Sequence, residues 1–491
     1  MLIFLLGIGI LVLGHFTYGK VIEHILAPDD RKTPALTRGD GVDFIVLPSW
    51  KNMLIQLLNI AGVGPVIGVI LGIRFGAEVF LIIPIGNVLG GAVHDFASGM
   101  MSLRHNGVNL PGMIRDSLGR KTASLFALFM TFLLLLVVAV FINIPANLVD
   151  GLAPKTSLFW PAVILIFLYY ILATLFPVDK IIGRVYPIFG GLLLASTFAL
   201  LLAILWHYSF TDKELFLATP ELQQKFLAFR QDNPILPTLF VTIACGIMSG
   251  FHATQSPIVA RTMASEREAR ATYYGMMIAE GVIAMIWAGG SYIIYNLNPG
   301  LFTVAPTKVL PEIVTFFLGS HLGTLTILGV IILAITSGDT AMRSLRLSLA
   351  ELFSIDQRSL KNRLLLCLPL IAVVSFLLYW SNQDAASFNF LWNYFAWGNQ
   401  VLAAFTLIAT SIWLWRERKN GWVTLLPGIF ITFIVATFIL WTSPAHKGPT
   451  GFGLPLHTAY LLGGAIALLW GSWGYWRGHH CPAPRPPQNN P

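Results

Sequence analysis

The sequence predicts an all-α polytopic membrane protein of about 13 transmembrane helices, arranged as two inverted five-helix repeats with one extra helix before them and two after. Three observations carry this. Of 491 residues, 56% are hydrophobic and only 11% charged, against about 25% charged in ordinary soluble domains. The apolar runs recur from end to end and are too long for barrel strands. Two of the runs are interrupted by glycine and proline at matching places.

Taken in order, the spans fall near 2–25, 53–73, 79–101, 124–148, 158–177, 187–206, 236–260, 273–295, 323–345, 364–379, 388–414, 422–441 and 456–473. The first has no charge before Lys20, so it reads as a retained helix rather than a cleaved signal. The 31 Lys and Arg gather in loops after odd-numbered spans and in the C-terminal tail. By the positive-inside rule the N-terminus is outside and the C-terminus cytoplasmic. Those loop charges account for the net charge of +8 without nucleic acid. The loops 27–52, 102–122, 207–235 and 346–363 read as solvated, with 110–118 a short interfacial helix. The expected organisation is 1–26 as the extra first helix, 53–206 and 236–414 as the repeats, 422–476 as the last two helices, and 477–491 as a disordered Pro-rich tail.

Span 2 is broken at Ala61-Gly62-Val63-Gly64-Pro65 and span 7 around Gly246 to Pro257. Pro65 and Pro257 both fit the first turn of a restarted helix, with Ser256 as the cap before Pro257. A helix that stops in hydrocarbon exposes backbone polar groups at several kcal/mol each, so the break must be covered by protein or water. Each block holds five spans, an odd number, so the second enters the membrane from the opposite side. Paired broken helices in inverted halves point to the binding site of a secondary transporter. Glycines that only allow close packing, and a Gly-Pro kink, are the plainer reading of either break alone.

The candidate substrate-binding residues are therefore Gly62, Gly64, Ser249, Gly250, His252, Thr254, Gln255 and Ser256, with Asn399 and Gln400 from span 11. Asn399 and Gln400 could equally serve as helix glue. Buried charges are costly in a membrane and are functional candidates by default, which singles out Asp95, with His94 beside it, and Asp339. Asp339 has Arg343 four residues on, so a plain intrahelical ion pair is one reading. A sodium site with Thr336, Ser337 and Thr340 is the other. Glu280 reads as solvated or paired. Helix N-termini after Gly64 and Ser256 would suit a small carboxylate better than a cation. No phosphate loop, H-E-x-x-H, G-x-S-x-G or Cys/His cluster is present, so neither an enzyme, a cofactor nor a bound metal is expected. Three cysteines, Cys245, Cys367 and Cys481, suggest no disulfide framework. A divalent-metal carrier using His94, Asp95 and His252 is a weaker alternative, because soft and carboxylate ligands are few in the breaks. The sequence is silent on oligomeric state.

Six stretches in order give the chain a family resemblance: DGVDF (40–44), IAGVGPVIGVILG (60–72), GGAVHDF (90–96), SGFHATQSPIVARTM (249–263), SGDTAMRSLR (337–346) and WGNQVLAAF (397–405). Over residues 1–415 it resembles the carbon starvation protein A family. Where that pattern has Leu-Asp-Thr, this chain has Gly338-Asp339-Thr340. The resemblance implies a leucine-transporter-like fold in a bacterial inner membrane. It also implies uptake of a small carboxylated nutrient by proton symport under carbon starvation, with sodium coupling possible. Pyruvate is the first expectation for the substrate and peptides the second. His94, Asp95, Asp339 and Thr340 would couple the ion. A nutrient-binding sensor without flux is the alternative of another class, disfavoured because no sizeable soluble output domain is present.

Overall fold

The computed structural model describes residues 1–153, 155–175, 178–211, 213–357, 359–383, 385–443 and 451–481. It is helical throughout, and the β pairings among the described residues are two isolated bridges, Lys32 with Ser265 and Leu47 with Met263. Nine helices among these residues are long and apolar enough to cross a membrane, ten if the bent pair Ser49–Ile60 and Gly64–Phe75 is one span. The remaining expected spans correspond to the shorter helix Phe159–Leu175, the interrupted stretch 235–260 and Leu456–His480. That last helix continues through 477–480, where the tail was expected to begin; residues 482–491 lie outside the described residues.

The helices pack by the small-residue logic of membrane bundles. Leu2–Leu26 lies against Val79–Arg104 and Glu266–Leu297, with Gly14 on Val88 and Phe4 on Gly289. Arg120–Leu152 runs along Pro306–Leu352, where Gly338 leaves room for Tyr170 and Phe141. Pro306–Leu352 is two helices, because Gly319 has φ 72°, a left-handed conformation that side chains resist. Its outer piece, 306–318, buries Val309, Leu310 and Ile313 over the bundle. Trp422–Trp441 and Leu456–His480 pair with each other and with Ala385–Arg416.

Three of the four loops expected to be solvated are docked in part, whereas the described residues of 352–361 in the fourth are largely exposed. Residues 27–48 run beside the end of the seventh span: Thr33 Oγ1 donates to Met263 O (2.6 Å) and Leu47 N to Thr262 O (2.9 Å). Leu110–Leu118 is a helix, but Leu110, Met113, Ile114 and Leu118 are buried beneath the bundle rather than laid on a membrane surface. The loop 207–235 holds Pro220–Asp232, with Phe226 and Phe229 against Tyr292 and Phe302. The apolar residues in these loops follow short helical patterns that composition alone hides.

Candidate functional site

The break in the second span is where the glycines put it. Ser49–Ile60 stops, residues 61–63 turn, and helix resumes at Gly64 with the axis bent by 51°. Pro65 sits in the first turn of the resumed helix, where a missing N–H costs nothing.

The seventh span breaks earlier than expected. Met248 (φ −168°, ψ 113°) and Ser249 (φ −121°, ψ 127°) are extended, and helix resumes at Gly250 and runs through Ser256 and Pro257 to Ala260. The expected restart at Ser256–Pro257 is thereby corrected to Ser249–Gly250. Packing explains the shift. A Cβ on Gly250 would collide with Ala403 N, Leu402 and the Asn399 carbonyl, so this is the closest approach of the span to span 11. Pro257 stays inside the helix, and Ser256 Oγ donates to His252 O (3.1 Å) in the adjoining turn.

The two breaks face each other. Gly64 stands against Cys245, with no room for a Cβ; Gly68 meets the Thr242 carbonyl and Gly72 meets Ile243. The carbonyl of Gly246, at the end of the stopped half, is satisfied by Asn87, whose Nδ2 also donates to Met277 O (3.2 and 3.0 Å). Around the breaks lie side chains that are buried and have no partner: Ser249 Oγ, Gln255 Oε1, and both ends of Asn399, Gln56 and Asn59. Most buried polar groups in proteins are paired, so these unpaired ones are open to a ligand or to water. Gln56 and Asn59 were missed in the sequence. Their signal is two amides three residues apart, hence on one face of an otherwise apolar helix.

A second group lies behind the restarted half. Asp95 bonds His94 Nδ1 through Oδ1 (2.9 Å) and His252 Nδ1 through Oδ2 (3.2 Å). His252 Nε2 is 3.8 Å from Glu280. All four side chains are fully buried. Glu280 is therefore buried, not solvated; neither of its oxygens has a hydrogen-bond partner, and the His252 ring brings it into the ionisable set. Ser98 Oγ and Ser256 Oγ are 3.1 Å apart, and Tyr273 OH donates to Ser256 O (3.1 Å), so Ser256 ties helices together. Among the described residues no group of three or more His, Cys, Asp or Glu is arranged as metal ligands.

Asp339 belongs to a different neighbourhood. Tyr169 OH donates to its Oδ2 (3.3 Å), while Oδ1 is buried without a partner. Arg343 does not serve it as the intrahelical pattern suggested: its Nη1 donates to Asp43 (3.1 Å) and its Nη2 to Ala173 O (2.5 Å). The candidates therefore form separate groups rather than one cavity. Thr340 Oγ1 donates back to Thr336 O and Ser337 O, Thr254 Oγ1 to Phe251 O, and Gln400 Nε2 to Phe240 O (2.7 Å). Gln400 is thus tied to span 7 through its nitrogen, while its Oε1, like both ends of Asn399, has no partner. Ser337 Oγ bonds Leu58 O (2.9 Å) and lies beside Gly62, closing the first break from span 9.

Comparison with known proteins agrees with this architecture. The model of the family described as "Carbon starvation protein CstA" matches residues 1–185, 160–303 and 296–438. An "Uncharacterized membrane protein" of Haemophilus influenzae is 40% identical over 61% of this chain and 92% of its own. "Peptide transporter CstA" of Campylobacter jejuni is 26% identical over 87% of this chain and 78% of its own. "Pyruvate/proton symporter BtsT" of Escherichia coli is 28% identical over 55% of this chain and 45% of its own. Among solved structures, a manganese transporter of Eremococcus coleocola (TM-score 0.54, 15% identity) is matched over 90% of this chain and 98% of its own. A Na+-coupled sialic acid symporter (TM-score 0.51, 14% identity) is matched over 97% and 98%. At such identities the likeness is one of fold, the leucine-transporter-like fold.

Proposed function

The chain belongs to the carbon starvation protein CstA family and is a multi-pass membrane transporter, and on that premise we propose that it imports a small carboxylated nutrient, pyruvate first, by proton symport. The observation that carries the reading is the pair of facing breaks with unpartnered polar groups beside them and a buried acid–histidine set directly behind. The two five-helix blocks, 53–206 and 236–414, alternate access about the breaks in a bacterial inner membrane, with the N-terminus outside. The helix N-termini at Gly64 and Gly250 hold the carboxylate, supported by Ser249, Gln255 and Asn399. Asp95, with His94, His252 and Glu280, carries the proton.

The test is uptake of labelled pyruvate into proteoliposomes under an imposed pH gradient. Asp95→Asn is expected to abolish accumulation while sparing exchange; accumulation equal to wild type removes Asp95 from coupling. Peptide uptake is the second reading, favoured by the name of the Campylobacter relative, and a dipeptide in the same assay separates the two.

A further inference from the structure

A cavity of about 620 Å³ opens among Ile67, Arg74, Asn143, Asn147, Asn382 and Trp392, with residues 303–307 also lining it. Its floor, Ile67, is one turn beyond the break at Gly64. It lies at the loops that the positive-inside rule assigns to the outside, on the approach to the breaks. Its size is that of a ligand pocket.

The chemistry of the lining is one-sided. Among the described residues that line it, Arg74 is the only charged group and none carries a carboxylate. Arg74 Nη2 is anchored on Val304 O (2.7 Å), which fixes the guanidinium at the wall, while its Nε is buried with no acceptor. Asn147 Nδ2 donates to Asn143 Oδ1 (2.6 Å). That bond orients the Asn143 amide, and its own Nδ2, on a side chain only 1% exposed, is left with no acceptor. Two buried N–H donors, one of them cationic, therefore line one cavity with no acceptor bonded to either. Guanidinium binds carboxylate by charge-assisted hydrogen bonds, among the strongest neutral-pH contacts available.

We propose that this cavity is an anion-docking vestibule: Arg74 and Asn143 take the carboxylate of a monocarboxylate before it reaches the breaks, and the lining disfavours zwitterions. A dipeptide brings an ammonium as well, and here that ammonium meets a guanidinium and neutral acceptors only. The inference rests on the transport reading above and narrows its substrate to the monoanion.

The experiment is counterflow of labelled pyruvate in proteoliposomes of wild type, Arg74→Gln, Arg74→Lys, Asn143→Ala and Asn143→Asp, each first checked for a monodisperse elution profile. Arg74→Gln should raise the half-saturation concentration about tenfold or more with the maximal rate within about twofold, the size of a lost charge-assisted bond. Arg74→Lys should recover part of it, Asn143→Ala should give a smaller rise, and Asn143→Asp should weaken pyruvate more than Asn143→Ala does. Unlabelled dialanine should compete poorly against wild type. Unchanged half-saturation in both Arg74→Gln and Asn143→Ala overturns the vestibule and leaves the transport reading standing. Better competition by dialanine than by unlabelled pyruvate overturns the selectivity. Absence of any carboxylate counterflow in wild type overturns the transport reading itself.

Discussion

Gly64→Ala should damage the protein in a way that Cys245→Gly repairs. The first break meets the second at these residues, and the space a Gly64 methyl would need is filled by the Cβ and Sγ of Cys245. Gly64 is buried and Cys245 half-buried, and Cys245 belongs to the helical turn Ala244–Ile247 just before the extended residues. Forcing a methyl into a filled site costs about 1–3 kcal/mol, because the surroundings shift before they yield. Cys245→Gly removes just the atoms in conflict, so the double variant should regain most of that loss. The coupling between the sites should fall in the range of about 0.5–3 kcal/mol found for residues in contact. Thermal unfolding of the purified protein, followed by tryptophan fluorescence across the four combinations, gives the cycle, and pyruvate counterflow on the same samples shows whether function follows packing. Additive single effects, or a Gly64→Ala protein that unfolds and transports like wild type, would mean that the two breaks do not touch, and the site built on their meeting would go with them.

Two other expectations follow from particular contacts. Asn399→Ala should leave the unfolding temperature near wild type, since neither end of that side chain has a partner to lose, yet raise half-saturation for substrate. Gln400→Ala breaks the bond to Phe240 O and should cost about 1 kcal/mol of stability; the reverse pattern would exchange their roles. Asp43 lies in the loop before the second span. Burial alone would push its carboxyl up, but Arg346, Arg343 and Arg261 outweigh burial and hold it below the ordinary 3.8. Its stabilisation is therefore complete above about pH 4 and lost as pH falls through the lower folded value. Asp43→Asn should cost about 3–5 kcal/mol at pH 7, as removal of one partner from a buried ion pair does, and should flatten acid unfolding below pH 4; an unchanged acid limb in urea titrations refutes the assignment.

What the sequence could show was set by local chemistry. Gly62, Gly64 and Pro65 announce their break because no continuous helix prefers that string. Asp95 and His252 stand out because charge and imidazole are rare in apolar runs. The break of the seventh span was misplaced by seven residues' worth of polar sequence, from Ser256 back to Ser249, because Pro257 looks like a restart while the deciding fact is the pressure of Ala403 and Asn399 on Gly250. Partnerships across the fold were equally hidden. Arg343 chooses Asp43, 300 residues away, over the carboxylate on its own helix, and Glu280 is recognisable as part of the acid–histidine set only once His252 lies beside it.

The distribution of bonds along the broken seventh span bears on how a proton could move it. The half before the break is held by Asn87 on the Gly246 carbonyl, Gln400 on the Phe240 carbonyl and the Tyr460 hydroxyl on the Leu236 carbonyl. The half after it is held through His252 and Ser256, by Asp95 and Ser98 from span 3 and by Tyr273 from the start of span 8. A change of protonation at Asp95 or His252 therefore acts directly on the half after the break, two residues from Gly250 where the helix resumes. A ligand shifts a conformational equilibrium only by the difference in its interactions with the two states. Here the proton has such a difference to act through: the Asp95–His252 bond persists or weakens with charge, and that bond is made to the half after the break. On the proposed reading the half bearing Arg261 and the docked 27–48 loop is the moving part, and the half toward the Arg74 cavity is the fixed one.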